Sequence, residues 1–195
     1  MNTPQKARKF YNNFEEYESF QQSENWYVPE LLVGGLTPYI SGGEKIIDIG
    51  CGPGMVGIAL EKYRWRGSLI GVDIAENRLK EASEKSCYSH CVQADAHYLP
   101  FADNVFDIVI SSAMVGLTGI SSVQEMIRIL KPGRLLACAA GEIKNKCWCR
   151  QRFQEVISFF NDESNTQILT CKDLGSGCSV KYNNEHYVYY LIRKN

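Results

Sequence analysis

The run Asp48-Ile49-Gly50-Cys51-Gly52-Pro53-Gly54-Met55-Val56-Gly57 sets one carboxylate ahead of four glycines, and its spacing fits two ligand chemistries. From Gly52 it reads G-x-G-x-x-G, the pattern in which backbone amides and a helix N-terminus hold a pyrophosphate. From Asp48 it reads D-x-G-x-G-x-G, a carboxylate at the end of a buried strand followed by a glycine turn. A carboxylate at that place repels a pyrophosphate and suits a ligand with a cationic group. Pro53 also removes one amide that a phosphate cradle would use. Asp73, at the end of the next strand-like run, is placed to accept both ribose hydroxyls in either reading.

Other reactive side chains are scattered. The eight cysteines include no CxxC pair, so they read as free thiols, several of them buried. Cys147-Trp148-Cys149 has no histidine nearby and is a poor zinc site; it reads as core packing or as an aromatic wall for a substrate. His90-Cys91 and His186 fall in strand-like runs and complete no metal cluster, so no metal is expected.

The elements that must position these groups alternate. Lys45 to Ile49, Ser68 to Asp73, His90 to Ala94, Phe106 to Ser111 and Arg134 to Ala139 read as strands, the first, fourth and fifth nearly all apolar as in a sheet covered on both faces. Pro53 to Tyr63, Ala75 to Ser86 and Ser121 to Leu130 read as helices, Pro53 in a first helical turn and Lys131-Pro132-Gly133 ending the last. Phe153, Val156, Ile157 and Phe160 mark a further amphipathic helix. Thr166 to Leu174 and Glu185 to Ile192 have no helix between them and should pair as an antiparallel hairpin. Ahead of the first strand, Gln5 to Gln21 and Asn25 to Ile40 read as two helices. The prediction is a single domain over residues 1–195, with a helical lid (1–40), a ligand-binding core (45–140) and a C-terminal helix and hairpin (141–195).

Four segments in order, DIGCGPG, GVDIAENRLKEA (Gly71 to Ala82), QADAHYLPFADNVFDIVISS (Gln93 to Ser112) and EMIRILKPGRLL (Glu125 to Leu136), resemble the class I S-adenosylmethionine-dependent methyltransferases. The likeness is to the small-molecule enzymes of the ubiquinone/menaquinone-methyltransferase-like group, with a layout similar to the Williams-Beuren-region methyltransferase-like proteins. It implies an α/β fold, Rossmann-like, with seven strands of which the last is antiparallel, and S-adenosylmethionine as cofactor with S-adenosylhomocysteine as product. By the same resemblance Asp48 and the Gly50, Cys51, Gly52 and Gly54 backbone hold the methionine part and Asp73 the ribose. Ile74 packs on the adenine, Asp95 accepts its amino group, the Ala96 amide donates to a ring nitrogen, and Ser111 lies near the methionine part.

The family's tyrosine pattern on a covering helix matches Tyr11 and Tyr17, although Asn12 and Glu18 replace its aspartates; both tyrosines are candidates for lining the methyl site or for packing. His97 stands where the family more often has Glu. Its ordinary pKa of about 6.5 suits a base, but its loop serves the cofactor, so a place at the adenine rim is the other reading. Many members carry a histidine after the fourth strand, whereas Ser112-Ala113-Met114-Val115-Gly116 has none.

A net charge of -1 with scattered basic residues argues against nucleic acid or anionic lipid. Base-modifying methyltransferases carry Asn/Asp-Pro-Pro-aromatic after the fourth strand, and Ser111-Ser112-Ala113-Met114 lacks it. No apolar run approaches a signal core or a membrane span, so a cytoplasmic protein, monomer or homodimer, acting on a small-molecule acceptor is expected. Two rivals stand beside it: a non-catalytic S-adenosylmethionine-binding module working through a partner, and a dinucleotide oxidoreductase.

Overall fold

The computed structural model describes residues 4–14, 26–143, 147–162, 166–175 and 185–195. Two helices come first, α1 (Pro4–Asn13) and α2 (Val28–Leu36), the latter extended by a 3-10 turn at Thr37–Tyr39. There follow β1 (Lys45–Ile49), α3 (Met55–Lys62), β2 (Ser68–Asp73), α4 (Glu76–Ser83), β3 (His90–Gln93) and β4 (Phe106–Ser112). The chain continues through α5 (Val115–Thr118), α6 (Ile120–Ile129), β5 (Leu130–Ile143), α7 (Cys147–Asn161), β6 (Thr166–Gly175) and β7 (Glu185–Lys194).

The seven strands form one sheet in the order β3-β2-β1-β4-β5-β7-β6. Strands β1 to β5 are parallel, and β7 runs antiparallel to both β5 and β6. This is the expected seven-stranded α/β sheet with its terminal hairpin. Side chains alternate across it. Ile46, Leu69, Ile108, Ile110 and Leu191 face a core closed by α2 and α3, whereas Ile47, Ile49, Val72, Val109 and Ile192 face one closed by α6 and α7. Each large apolar side chain buried this way contributes about 1.5–3 kcal/mol relative to exposure, so both layers fix the sheet that carries the site.

Several boundaries differ from the sequence reading. Pro53 lies in the turn before α3 rather than in its first helical turn, because Gly54 takes the N-cap in a left-handed conformation (φ 92°) and the helix starts at Met55. Lys131-Pro132-Gly133 follows the end of α6 at Ile129, as expected, but belongs to β5 rather than to a loop. β5 begins at Leu130 and passes straight through this stretch, with a register shift against β4 between Phe106 and Ile108 that absorbs the extra residues at Gly133 (φ 73°). The first helix ends at Asn13, and residues 15–21 of the expected Gln5 to Gln21 segment, Tyr17 included, lie outside the described residues.

Candidate functional site

Alternation along Lys45–Ile49 turns Asp48 to the same face as Ile46, so a carboxylate enters an otherwise apolar layer. Its register neighbours are Gly71 on β2 and Ile110 on β4, and it is wholly buried. Tyr88, just ahead of β3, donates its hydroxyl to Asp48 Oδ2 at 2.7 Å, while Oδ1 has no hydrogen-bond partner. Burial pushes the Asp48 carboxyl up to about 7, opposed by the Tyr88 hydrogen bond and reinforced by the charge of Asp73.

The glycine loop after β1 is closed on itself. The Gly50 and Cys51 amides both donate to the Val72 carbonyl, at 2.7 and 2.9 Å. The Gly52 amide donates to Asp73 Oδ2 and the Gly54 amide to the Cys51 carbonyl, each at 2.9 Å. With Pro53 lacking an N–H, every amide from 50 to 54 is engaged, and no cradle for a pyrophosphate remains. Cys51 Sγ is buried over Gly71, and burial raises its thiol well above the ordinary range.

Asp73 closes β2. Its Oδ1 accepts from the Ala75 amide at 2.8 Å and its Oδ2 from Gly52, each oxygen keeping a second lone pair. Burial raises its carboxyl and these amides pull it back, leaving it above the usual range. Ile74 is half-buried beside it, its carbonyl held by Gln93 Nε2 at 3.0 Å. After β3, Asp95 Oδ1 accepts from both the amide and the ring Nδ1 of His97, at 3.0 and 2.6 Å, and Ala96 is buried.

His97 Nε2 meets the Thr118 carbonyl at 3.2 Å. Both ring nitrogens therefore lie against oxygen atoms of the protein, and neither is turned freely toward a substrate. The reading of His97 as a base does not fit this geometry; the ring ties the Asp95 loop to α5. Ser111 is wholly buried and donates to the Ile49 carbonyl at 3.0 Å, bracing β4 against β1 rather than offering its hydroxyl to a ligand. Tyr11 lies half-buried on α1, its ring 5.2 Å from that of Phe10.

That helix is fastened to the start of α4, directly after Asp73. Asn12 Oδ1 accepts from the Asn77 amide at 3.1 Å, and Asn77 Nδ2 donates to the Asn12 carbonyl at 2.8 Å. The buried Arg78 donates to the Phe14 carbonyl at 3.0 Å. Asp48, the glycine loop, Asp73 and Asp95 thus gather at the carboxyl ends of β1 to β3, where open α/β sheets bind ligands.

Four contributors are not singled out by the sequence as site residues. Tyr88 is one. Arg128 on α6 is another: it donates to the Leu99 and Phe101 carbonyls at 3.1 and 2.8 Å and to Glu125, fixing the loop after Asp95. Met114 lies against Gly50, where an added Cβ would come within 2.9 Å of its sulfur. Ala113, between β4 and α5, has φ 62°, a left-handed backbone that strains a residue with a Cβ. The register after β4 signals only that this loop is near the site.

Among the described residues no group of histidine, cysteine and carboxylate side chains is arranged to hold a metal ion. Nor is any described helix long and apolar enough to cross a membrane. A cavity of about 280 Å³ lined by Ser41, Tyr63, Arg64 and Arg66 lies at the opposite, amino-terminal end of the strands and includes none of these carboxylates.

Residues 47–138 match a family model described as a methyltransferase domain. An uncharacterised methyltransferase of Schizosaccharomyces pombe is 28% identical over 160 residues, covering 75% of this chain and 57% of that protein. A demethylmenaquinone methyltransferase of Staphylococcus aureus is 33% identical over 142 residues, covering 69% of this chain and 56% of its own length. The chain therefore spans a little over half the length of the curated relatives it matches. Among solved structures, geranyl diphosphate C-methyltransferase from Streptomyces coelicolor superposes with a TM-score of 0.72 at 13% identity, over 98% of each chain. The cyclase SpnF gives 0.73 at 15% identity, over 98% of this chain and 97% of that one. At such identities the likeness is one of fold.

Proposed function

The chain belongs, through residues 47–138, to the class I S-adenosylmethionine-dependent methyltransferases, and from that premise we propose that it transfers a methyl group to a small-molecule acceptor. The observation that carries this reading is the pairing of a closed glycine loop with a buried, half-satisfied Asp48. A loop whose amides from 50 to 54 are engaged, beside a spare carboxylate oxygen, disfavours pyrophosphate and favours an ammonium.

The residues present fit the cofactor. Asp48 would hold the ammonium of its methionine end, and the second lone pairs of Asp73 the ribose hydroxyls. Ile74 would pack on the adenine and Asp95 Oδ2 would accept its amino group. When bound, S-adenosylmethionine supplies a methyl group already activated for in-line displacement, so positioning and exclusion of water are the protein's main tasks.

Met114 and the strained Ala113 close the loop after β4 over Gly50, and α1, carrying Tyr11, covers the start of α4. With His97 committed to Asp95 and Thr118, no described histidine serves as base at this place. The reading therefore favours an acceptor whose attacking atom is a nucleophile without prior deprotonation. The scattered basic residues support a small molecule rather than nucleic acid.

Calorimetric titration of S-adenosylmethionine, S-adenosylhomocysteine and NAD into wild type and Asp73→Ala tests the proposal. Binding of the first two at micromolar concentration, lost in the variant, supports it. Tighter binding of NAD, or no binding of either adenosyl ligand by the folded protein, overturns it. Transfer of a labelled methyl group to members of an acceptor library then separates an enzyme from a binding module.

A further inference from the structure

Tyr88 sits in a slot made by three glycines. A Cβ added at Gly71 would lie 2.9 Å from its ring, one at Gly54 2.8 Å and one at Gly57 2.6 Å. Gly71 is the register neighbour of Asp48, so a ring lying over Gly71 brings its hydroxyl onto that carboxylate. Two glycines of the G-x-G-x-x-G pattern are thereby accounted for by a tyrosine rather than by a phosphate.

The direction of the hydrogen bonds follows from the partners. The Gly57 amide, in the first turn of α3, can only donate, and it donates to the Tyr88 oxygen at 3.2 Å. That helix has no side-chain cap of its own because its N-cap is Gly54, so the Tyr88 oxygen supplies the missing acceptor. The Tyr88 proton must then go to Asp48 Oδ2. Burial and the charge of Asp48 keep the phenol protonated. Asp48 Oδ2 is engaged, and Oδ1 is the buried oxygen left without a partner among the described residues.

We propose that Tyr88 is a positioning residue for the cofactor: by clamping Asp48 Oδ2 to the first turn of α3, it presents the unpartnered Oδ1 to the ammonium of the methionine end. The inference rests on the methyl-donor reading above. Phenylalanine would fill the same slot but could not clamp the carboxylate. The titratable groups that face Asp48 are Tyr88, Asp73, Cys51, Cys87 and Cys91, and of these the Tyr88 hydrogen bond is the one that favours the ionised carboxylate. Without it Asp48 takes up its proton at a higher pH, and a neutral acid holds an ammonium poorly.

The test has a ligand-free arm and a ligand arm. In the first, the Asp48 carboxyl carbon is titrated by NMR in wild type and Tyr88→Phe. The midpoint should move upward in the variant by about one pH unit. In the second, S-adenosylhomocysteine affinity is measured by calorimetry between pH 5.5 and 8.5 in wild type, Tyr88→Phe and Asp48→Asn. Wild-type affinity should rise with pH through the Asp48 midpoint. Tyr88→Phe should bind roughly tenfold more weakly near pH 7 and recover toward wild type at pH 8.5. Asp48→Asn should bind weakly with no such rise, which keeps the test decisive if Tyr88→Phe does not fold.

An unmoved Asp48 midpoint in the first arm overturns the clamp. A uniform loss of affinity at every pH in Tyr88→Phe overturns the positioning role and leaves a packing one. A shifted midpoint together with a wild type that binds no adenosyl ligand overturns the methyl-donor reading and, with it, the role of the clamp in binding.

Discussion

At the amino ends of the strands, carboxylates are matched by donors and held low; at the carboxyl ends of β1 and β2 they are unmatched and raised. Asp107, opening β4, accepts from the Lys45 amide at 3.0 Å and pairs with Lys131 at 2.9 Å and Arg134 at 3.4 Å. Burial would raise its carboxyl, but these partners hold it below the usual range. Glu44, just before β1, is likewise held down to about 2 despite burial, by the Ser41 amide and the Trp65 indole. Asp48 and Asp73, at the far ends of β1 and β2, are raised, because burial outweighs the phenol and amide hydrogen bonds that they receive. The first pair completes the fold without a ligand. The second pair holds acceptor capacity in reserve, and that reserve is what a ligand with an ammonium and a diol would use.

The sharpest way to break this contrast is Asp73→Ala. It removes the ribose acceptor and frees the Gly52 and Ala75 amides, and a loss of S-adenosylhomocysteine affinity of more than a hundredfold, about 3 kcal/mol, is expected by calorimetry. Asp48→Asn should separate function from stability. A carboxylate raised to about 7 in the folded state and near its ordinary value when unfolded contributes stability that is complete below the unfolded value and is lost as pH rises toward 7. Thermal unfolding of Asp48→Asn should therefore show a higher midpoint than wild type at pH 8, a flatter profile between pH 4 and 7, and weaker ligand binding.

At the matched end the expectation reverses. Asp107→Asn should lower unfolding stability by about 1 kcal/mol, since Lys131 and Arg134 are partly solvated, and leave ligand affinity unchanged. The stability that Asp107 and Glu44 contribute is present above ordinary carboxylate pKa values and is lost as pH falls below about 4 toward 2. Denaturant titrations at pH 3 and pH 7 check this sign. The smallest effect belongs to His97→Gln. Loosening the Asp95 loop should weaken binding a few-fold, with no change in the pH dependence of turnover; a lost acidic limb in that profile would restore His97 as a base.

Much of the unmatched end is legible in sequence because its chemistry is local. A carboxylate ending an apolar run, followed by spaced glycines, can be seen without coordinates, as can Asp73 at the end of β2. What escapes is contact at a distance. Tyr88 reaches Asp48 across 40 residues, and nothing in CYSH marks the reach. Arg128 holds carbonyls 27 and 29 residues earlier in the chain. Lys131-Pro132-Gly133 misleads for another reason: proline and glycine signal a turn, yet at the start of β5 the pairing with β4 absorbs them as a bulge. His97 suggested chemistry by residue type, and only its two acceptors reveal that it is occupied.

The attachment of α1 bears on the order of events in a catalytic cycle. This helix buries no side chain and is fastened through Asn12 and Phe14 to Asn77 and Arg78, on the turn that follows Asp73. A ligand that firms the Asp73 turn also firms the attachment of α1, and by linkage a settled α1 tightens that ligand's binding. Steady-state kinetics should accordingly be sequential and ordered, with the methyl donor entering first and its demethylated product leaving last, competitive with the donor and noncompetitive with the acceptor.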